Sequence, residues 1–474
     1  MAIKTKIIAT VGPSSNSESI LKKLILSGMN VARLNFSHGS HKEHGEVVNT
    51  IRSLSKELKR PVAILLDLQG PKIRTGLLKE KKPVLLKKNG TIRITSRKVS
   101  GTADLVSTTY AKLTGDVKAG DKILLDDGLI ELRVLSKTKD TIACKIINGG
   151  ILKENKGINL PGVNVSAPSL TDKDKKDLIF GIKSGVDYFA LSFVRSADDL
   201  RAIKTIIEKH NSDIPVIAKI EKPEAVDNLD KILKLADAVM VARGDLGVEL
   251  RPEQVPAIQK YIIQKTVQAN KPVITATQML ETMTENPIPT RAEASDVANA
   301  IYDGTDAVML SGETASGKYP VKAVQMMARI AAEVESSPFM IYNIQYEKDT
   351  KDLVPHAVAQ SSVNILHEVD AKAIVAFSVS GKTSKLISKQ RPARPVYAFS
   401  PSREIFNRLS LVWGVMPLMI SSINDAKRLI EAGEKIIIEN RFVKKNDLVI
   451  VVTGLALTKG STNMIKIHRV GRED

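Results

Sequence analysis

The chain has 474 residues, of which 43% are hydrophobic and 26% charged, so disorder is excluded and two to four globular domains are expected. The net charge of +18 comes from basic residues interleaved with acids, without an aromatic RNA-binding motif or a Cys/His finger spacing. The positive net charge therefore indicates a field that attracts anionic metabolites more strongly than it indicates a basic RNA-binding protein. The single Cys144 excludes an internal disulfide. With no signal peptide or apolar span in the sequence, we expect a cytoplasmic protein without a membrane or nucleic-acid partner.

Eight short apolar runs, each followed by a stretch of helical period, occupy most of the first 340 residues. Their Val, Ile, Leu and Ala content predicts parallel strands buried on both faces. The runs cover residues 6–11, 30–36, 62–68, 188–194, 215–221, 238–243, 272–278 and 307–311. The predicted helices cover 14–27, 41–59, 172–184, 197–210, 222–236, 252–269, 290–302 and 317–336. Eight such units predict an α/β fold with a closed (β/α)8 TIM barrel rather than an open sheet.

Residues 71–168 interrupt the barrel between its third and fourth strands, which leaves 1–70 and 169–341 to form it. The segments TIRITSRKV, DKILLDDGLIELRVL and DTIACKIING alternate apolar and polar residues and contain turn signals such as DDG. This pattern predicts an inserted antiparallel β-barrel domain. Because Pro71 and Pro168 mark its two connections, we expect the inserted domain, called the lid below, to hinge over the barrel mouth.

Residues 342–474 predict a separate α/β domain, with a helix at 355–367 and strands in AIVAF (373–377), PVYAF, VMPLMI and DLVIVVTG. Within it, AFSVSGKTSK (376–385) fits a relaxed phosphate-binding loop between a strand and a helix. The stricter pattern requires glycine where the chain has Ala376, and no later strand ends in an aspartate suited to Mg2+, so a P-loop NTPase is the weaker interpretation. Two interpretations of this loop stay open, a phosphate-binding site and an ordinary turn. The candidate residues for phosphate binding are Ser378, Ser380, Lys382, Thr383 and Ser384.

Polar residues stand at the ends of the predicted barrel strands, which all meet at one face of a barrel. In KIEKPEA and VARGDLGVE, Glu221 and Asp245 follow adjacent strands, and such paired carboxylates suit Mg2+ or Mn2+. The nearby Lys219 ammonium suits a transferring phosphoryl group or a developing enolate. Two alternatives stay open here. Lys219 can form a simple salt bridge with a carboxylate, or the barrel can belong to a metal-dependent enolate enzyme such as an aldolase or lyase.

Seven motifs in series carry a resemblance to a known family. They are NVARLNFSHG (30–39), LDLQGPKIRTG (66–76), KIEKPEA, VARGDLGVE, ATQMLETM (276–283), PTRAEASDVANA (289–300) and MLSGETASGKYP (309–320). In this order they resemble the pyruvate kinase family, and the similarity covers essentially the whole chain. The resemblance implies a phosphotransferase that moves the phosphoryl group of phosphoenolpyruvate to ADP in glycolysis. It also implies a homotetramer.

The resemblance further implies roles for single residues. Glu221 and Asp245 would hold the divalent ion, while Lys219 and Arg33 would stabilise the phosphoryl group as it moves. The N–H groups of Gly244 and Asp245 and the Thr277 hydroxyl would bind the substrate carboxylate. Thr277, Ser311 and Glu313 would lie on the path of the proton that reaches the enolate. The residues implied for ADP are Pro13, Asn35, His38, Arg74 and, reaching in from the lid with a second metal, Lys156.

One position departs from the family pattern. The resemblance implies a K+ site formed by Asn35, Ser37, Asp67 and the Leu68 carbonyl, and K+-dependent members carry a glutamate where this chain has Lys72. We expect the Lys72 ammonium to reach the same carboxylate and to make K+ unnecessary; the alternative is a solvent-facing Lys72. In allosteric members a loop similar to 378–384 binds the phosphate of a sugar-phosphate or nucleotide effector, which implies such an effector as a partner here.

Overall fold

The computed structural model describes residues 3–340, 353–423, 425–454 and 462–472. Eight parallel strands close into a barrel, in which each strand pairs with its neighbours in chain order and the eighth pairs with the first. These strands are Lys6–Val11, Met29–Asn35, Ala63–Asp67, Tyr188–Leu191, Val216–Ile220, Ala238–Ala242, Val273–Ala276 and Ala307–Leu310. The predicted (β/α)8 barrel is confirmed.

Helices surround the barrel close to the predicted positions. The longer ones are Glu18–Leu26, His41–Glu57, Asp172–Lys183, Ala197–Lys209, Leu229–Leu235, Val255–Gln268, Arg291–Tyr302 and Pro320–Ser336. Shorter helical segments are Pro223–Asp227, Arg243–Glu249, Pro252–Gln254, Glu281–Thr284 and Gly312–Ala315. The single helix expected over 222–236 is divided at Asn228, whose side chain donates hydrogen bonds to the carbonyls of Arg195 and Glu224. Helices of one or two turns at the strand ends are too short for a periodic pattern to predict.

Alternate strand residues fill the inside of the barrel, as the two-residue period of a strand requires. The inward set is fully buried and consists of Ile8, Val31, Ala63, Leu65, Tyr188, Ala190, Ile217, Ala238, Met240, Ile274, Ala276, Ala307 and Met309. Leu411 of the carboxyl-terminal domain joins this cluster, and the Tyr188 hydroxyl donates to the Arg408 carbonyl over 2.7 Å. The carboxyl-terminal domain therefore contacts the barrel interior directly.

The lid is rich in β-strands, as expected. Its strands are Val84–Leu86, Thr91–Thr95, Leu105–Ser107, Lys122–Leu125, Ile130–Lys137, Thr141–Asn148, Gly150–Leu152 and Ile158–Asn159, with helical turns at Lys79–Lys81 and Leu113–Asp116. They form one six-stranded and one two-stranded sheet. Pairing is antiparallel except between Thr91–Thr95 and Leu105–Ser107, which run parallel. Cys144 lies in the lid core, where burial raises the pKa of its thiol to about 12.

The carboxyl-terminal domain is the predicted α/β unit. Its strands are Ala373–Phe377, Val396–Ser400, Val415–Met419, Leu448–Thr453 and Met464–Arg469, and its helical segments are Leu353–Glu368, Lys382–Lys389, Arg403–Arg408, Leu409–Leu411 and Ala426–Glu439. The first three strands follow each other across the sheet, whereas the fourth returns to lie beside the first. The strand order therefore reverses between Ala373–Phe377 and Leu448–Thr453, which is where open α/β sheets usually bind ligands.

Candidate active site

The inward-facing rows of the barrel continue into polar side chains at its mouth. Val31 is followed two residues later by Arg33, Leu65 by Asp67, and Ile217 by Lys219, in the two-residue period of each strand. In the same phase, Ile8 is followed by Thr10, Ala190 by Ser192 and Met309 by Ser311. The alternation that fills the barrel thus also directs these polar groups to one place.

Asp67 is the centre of this polar layer. Its Oδ2 lies 2.7 Å from both Nε and Nη2 of Arg33, and its Oδ1 lies 3.3 Å from Nζ of Lys219. Burial opposes ionisation, but Lys219 and Arg33 together hold the pKa of the Asp67 carboxyl below its usual value. Arg33 also donates to the Thr10 hydroxyl over 2.9 Å. One buried carboxylate therefore orients two cations.

Lys219 completes a second ion pair with Glu221, at 2.9 Å from Oε1, and donates to the Ser192 hydroxyl over 2.7 Å. Although burial opposes its charge, Asp67 and Glu221 raise the pKa of Lys219 above its ordinary value. The ammonium stays charged in a buried position. Such a fixed charge can neutralise a phosphoryl group without reorganisation.

Asp245 lies in the first turn of Arg243–Glu249, close enough to Glu221 to influence its charge. Burial raises the pKa of Glu221; Lys219 opposes this shift and Asp245 adds to it. A carboxylate whose charge is disfavoured by a neighbouring carboxylate fits a divalent cation, which would relieve the repulsion. In the described residues no group of three or more His, Cys, Asp or Glu side chains is arranged around one metal position. The pair therefore suits Mg2+, which commonly keeps water and substrate oxygens in its shell.

Arg243 is a residue to which the sequence alone assigned no role. Its Nη2 donates to the Thr277 carbonyl over 2.8 Å, and its Nη1 lies 2.7 Å from Asp296. Thr277 and Gln278 both have positive φ, at 68° and 53°, an unusual backbone for a β-branched residue such as Thr277. The guanidinium therefore holds a strained turn in place. An arginine directly after a buried strand was the only sequence signal for it.

The turn held by Arg243 presents the Thr277 hydroxyl to the preceding barrel unit, which carries Gly244. Thr277 Oγ1 accepts the Gly244 N–H at 2.7 Å and donates to the Ala276 carbonyl at 2.6 Å. Gly244 and Thr277, both predicted to bind the substrate carboxylate, are thus neighbours and are hydrogen-bonded to each other. A carboxylate between them would replace this bond.

Ser311 and Glu313 lie at the end of the eighth strand. The Glu313 carboxylate accepts the N–H groups of Ser311 at 2.7 Å and Leu280 at 3.1 Å, and burial raises its pKa. The Ser311 hydroxyl is buried and has no hydrogen-bond partner among the described residues. Glu313 therefore fixes the backbone around a serine hydroxyl that keeps its hydrogen-bonding capacity.

The residues implied for ADP come from four segments, two on the barrel and two in the lid. Pro13 is exposed on the loop after the first strand, and Asn35 Oδ1 accepts the Ser37 N–H at 3.1 Å. The His38 carbonyl accepts from Nε2 of His44 at 2.9 Å. In the lid, Arg74 pairs with Gly157 in an isolated bridge, and Lys156 Nζ lies 2.8 Å from Asp126.

The residues implied for a monovalent cation are partly occupied by other contacts. The Leu68 carbonyl accepts the Ser192 hydroxyl at 2.8 Å, and both carboxylate oxygens of Asp67 face Arg33 or Lys219. Lys72 is exposed, and in the described part of the chain it has no ion pair with Asp67. Its side chain instead lines a cleft between lid and barrel together with Asp245.

The loop 378–384 follows Ala373–Phe377 at the reversal of strand order. Gly381 has φ 75° and precedes the helix Lys382–Lys389. Thr383 Oγ1 lies 2.5 Å from Thr462 Oγ1, which joins the loop to the last strand region. Ser378 is buried, Ser380 is half-buried, Lys382 is exposed, and the buried Ser384 hydroxyl has no partner within the described ranges.

Comparisons with known proteins agree with this architecture. Residues 2–324 match the family model "Pyruvate kinase, barrel domain", and residues 356–468 match "Pyruvate kinase, alpha/beta domain". Pyruvate kinase of Geobacillus stearothermophilus is 47% identical over 473 residues, covering 99% of this chain and 80% of the relative. Pyruvate kinase of Staphylococcus epidermidis is 47% identical over 476 residues, covering 99% and 81%.

Among solved structures, the crystal structure of a pyruvate kinase from Cryptosporidium parvum superimposes with a TM-score of 0.93 at 39% identity, covering 99% of this chain and 96% of that one. Over the described residues, no helix combines the length and apolar character that crossing a membrane requires.

Proposed function

Because the chain belongs to the pyruvate kinase family, whose members are phosphotransferases, we propose that it transfers the phosphoryl group of phosphoenolpyruvate to ADP, yielding pyruvate and ATP in glycolysis. The observation that carries the proposal is the Lys219 ammonium, held 2.9 Å from Glu221 and 3.3 Å from Asp67 at the barrel mouth. A lactate-dehydrogenase-coupled assay with phosphoenolpyruvate and ADP tests it. Turnover that needs Mg2+ is expected; no turnover with these substrates would refute it.

Glu221 and Asp245 would hold the divalent cation, Mg2+ or Mn2+, which when bound supplies positive charge to the phosphoryl oxygens. Lys219 and Arg33 would add two fixed cations, both oriented by Asp67. Because phosphoryl transfer depends mainly on positioning and charge stabilisation, this arrangement needs no protein nucleophile.

The Gly244 and Asp245 N–H groups with the Thr277 hydroxyl would bind the carboxylate of phosphoenolpyruvate. Arg243 keeps Thr277 in the required backbone conformation, as its 2.8 Å bond to the Thr277 carbonyl indicates. Proton delivery to the enolate would then run through the Thr277 and Ser311 hydroxyls. Glu313 acts through its bonds to the backbone of Ser311 and Leu280.

ADP would lie against Pro13, Asn35, His38 and Arg74, with Lys156 contributing from the lid together with a second metal. The 2.8 Å pair of Lys156 with Asp126 keeps that ammonium on the lid. A lid that brings a lysine to the nucleotide would also exclude water from the reacting phosphoryl group.

K+ is not required for this activity. In support, the carboxylate of Asp67 already faces two cations, and Lys72 places a further positive charge in the cleft that Asp245 lines. This differs from the sequence expectation in one respect: the Lys72 charge acts from the cleft and not through a bond to Asp67.

The loop 378–384 would bind the phosphate of a sugar-phosphate or nucleotide effector. Its position at the reversal of strand order and the unpartnered Ser384 hydroxyl in the described chain support this site. Phosphate-bearing metabolites titrated into the coupled assay would reveal the effector. Its effect should be lost in Lys382→Ala and kept in Lys372→Ala, which changes an exposed lysine at the other end of the strand.

We further propose a cytoplasmic homotetramer without a nucleic-acid or membrane partner, with domains at 1–70 and 169–341, at 71–168 and at 342–474. Light scattering would test the oligomeric state. Limited proteolysis would test the domain limits.

A further inference from the structure

The last strand of the lid, Ile158–Asn159, is bonded to the barrel through the carboxylate of Glu249. Oε1 of Glu249 accepts from Nδ2 of Asn159 at 3.0 Å and from Nζ of Lys222 at 2.5 Å. The Glu249 side chain is only 2% exposed, so both bonds are shielded from water. We call Asn159, Lys222 and Glu249 the latch. None of the roles assigned above uses it.

Each barrel member of the latch stands beside one of the proposed metal ligands. Lys222 directly follows Glu221 after the fifth strand. Glu249 comes four residues after Asp245, one turn later on the helix Arg243–Glu249, and residues with this spacing share a helix face. The Lys222–Glu249 ion pair therefore ties together the two segments that carry the metal ligands.

The lid member of the latch borders the same cleft as Asp245. The cleft holds about 40 Å3 of space for water and is lined by Asn159, Lys222 and Asp245 among others. This volume is enough for water molecules but not for a nucleotide. When Asn159 is bonded to Glu249, the edge of the lid therefore lies directly beside a metal ligand.

We propose that Glu249 is a positioning residue that couples the position of the lid to the geometry of Glu221 and Asp245. With Asn159 bound, the Glu249 carboxylate is fixed, and Lys222 and the Asp245 helix are fixed with it. When the lid moves away, one of the two bonds to Oε1 is lost and the carboxylate gains freedom. The site then binds the divalent cation less well. This inference rests on the proposed function, since it takes Glu221 and Asp245 as the metal ligands.

The test is a titration of the substrate-free enzyme with Mn2+, followed by electron paramagnetic resonance. Glu249→Gln, which keeps the shape but removes the charge, should weaken Mn2+ binding about tenfold or more, as groups that orient metal ligands usually do. Asn159→Ala should weaken binding by a smaller factor. The double variant should bind no more weakly than Glu249→Gln alone, because both changes act through one carboxylate. Glu253→Gln, an exposed carboxylate nearby, is the matched control and should bind as the wild type does.

The outcomes separate the latch from the metal site. If Asp245→Asn abolishes Mn2+ binding while Asn159→Ala and Glu249→Gln bind normally, the latch proposal is wrong and the proposed metal site stands. If Asp245→Asn also binds normally, both are wrong. If Glu249→Gln melts at a lower temperature than the wild type, its Mn2+ affinity no longer isolates the latch, and Asn159→Asp is measured instead. This variant places a second carboxylate beside Glu249. It must weaken Mn2+ binding more than Asn159→Ala does. Equal binding by these two lid variants overturns the proposal.

Discussion

Both Nε and Nη2 of Arg33 lie 2.7 Å from the same oxygen of Asp67, Oδ2, on the neighbouring barrel strand. The second carboxylate oxygen faces Lys219. The side chain of Asp67 is buried, so its charge is balanced by these two cations and not by water. The spacing of the two cations at the barrel mouth therefore depends on one aspartate.

Asp67→Asn should lower the free energy of unfolding by about 3–5 kcal/mol at pH 7, because it leaves two buried cations without their carboxylate. Urea unfolding followed by circular dichroism measures this loss. Asp172→Asn, which changes an exposed carboxylate, is the control and should cost less than about 0.5 kcal/mol. Equal losses in the two variants would contradict the role of Asp67.

The difference between wild type and Asp67→Asn should also depend on pH. Since Lys219 and Arg33 hold the pKa of Asp67 below its ordinary value of 3.8, its stabilising contribution is present above that value and is lost as the pH falls through the lower, folded-state pKa. The two unfolding curves should therefore approach each other only below about pH 4. A difference that already disappears at pH 6 would argue against an ionised Asp67.

Lys219→Met should lower kcat about 100- to 1000-fold, the usual cost of removing one preorganised charge-stabilising group. Lys231→Met, an exposed lysine, should have no effect. Because Asp67 and Glu221 raise the pKa of Lys219 above 10.5, the wild-type rate should show no loss from its deprotonation between pH 7 and 10. Steady-state kinetics over this range check both statements.

Arg243→Lys should lower thermal stability and kcat together. Lysine keeps the charge but not the fork that bonds both Asp296 and the Thr277 carbonyl. A buried carbonyl without its donor costs about 1–3 kcal/mol, and the strained Thr277 turn loses its support. Asp296→Asn, which leaves the bond to Thr277, should have the smaller effect on kcat. A larger loss of kcat in Asp296→Asn than in Arg243→Lys would indicate that kcat depends on the ion pair and not on the Thr277 turn.

Wild-type activity should be the same in K+-free buffer and after K+ is added. Lys72→Glu should lower the activity in K+-free buffer and make it respond to K+, because a carboxylate replaces a cation in the cleft beside Asp245. Lys79→Glu, an exposed lysine elsewhere in the lid, is the control. A large rise of wild-type activity on adding K+ would refute the proposal for Lys72.

The sequence predicted the barrel well because its strands are short, apolar and buried on both faces. All eight predicted runs contain a strand; Asp67 is the last residue of its strand and Lys219 is the last but one of its own. Periodicity cannot predict the contacts of Arg243 and Glu249, whose partners Thr277 and Asn159 lie 34 and 90 residues away along the chain. The helix Ala426–Glu439 and the edge strand Met464–Arg469 were not predicted. The helix packs on the sheet through the buried Leu429 and Ile437, and the strand pairs antiparallel with Leu448–Thr453.

Glu221 and Asp245 are proposed to serve phosphoryl transfer together, beside Lys219. The most direct measurement is the coupled assay with phosphoenolpyruvate, ADP and saturating Mg2+, applied to the wild type, Glu221→Gln, Asp245→Asn and the exposed control Asp230→Asn. We expect the wild type and the control to turn over, and their turnover to stop when Mg2+ is removed. The rate of each of the other two variants should fall about a hundredfold or more. Full activity in Glu221→Gln or Asp245→Asn would show that these two carboxylates do not serve the transfer.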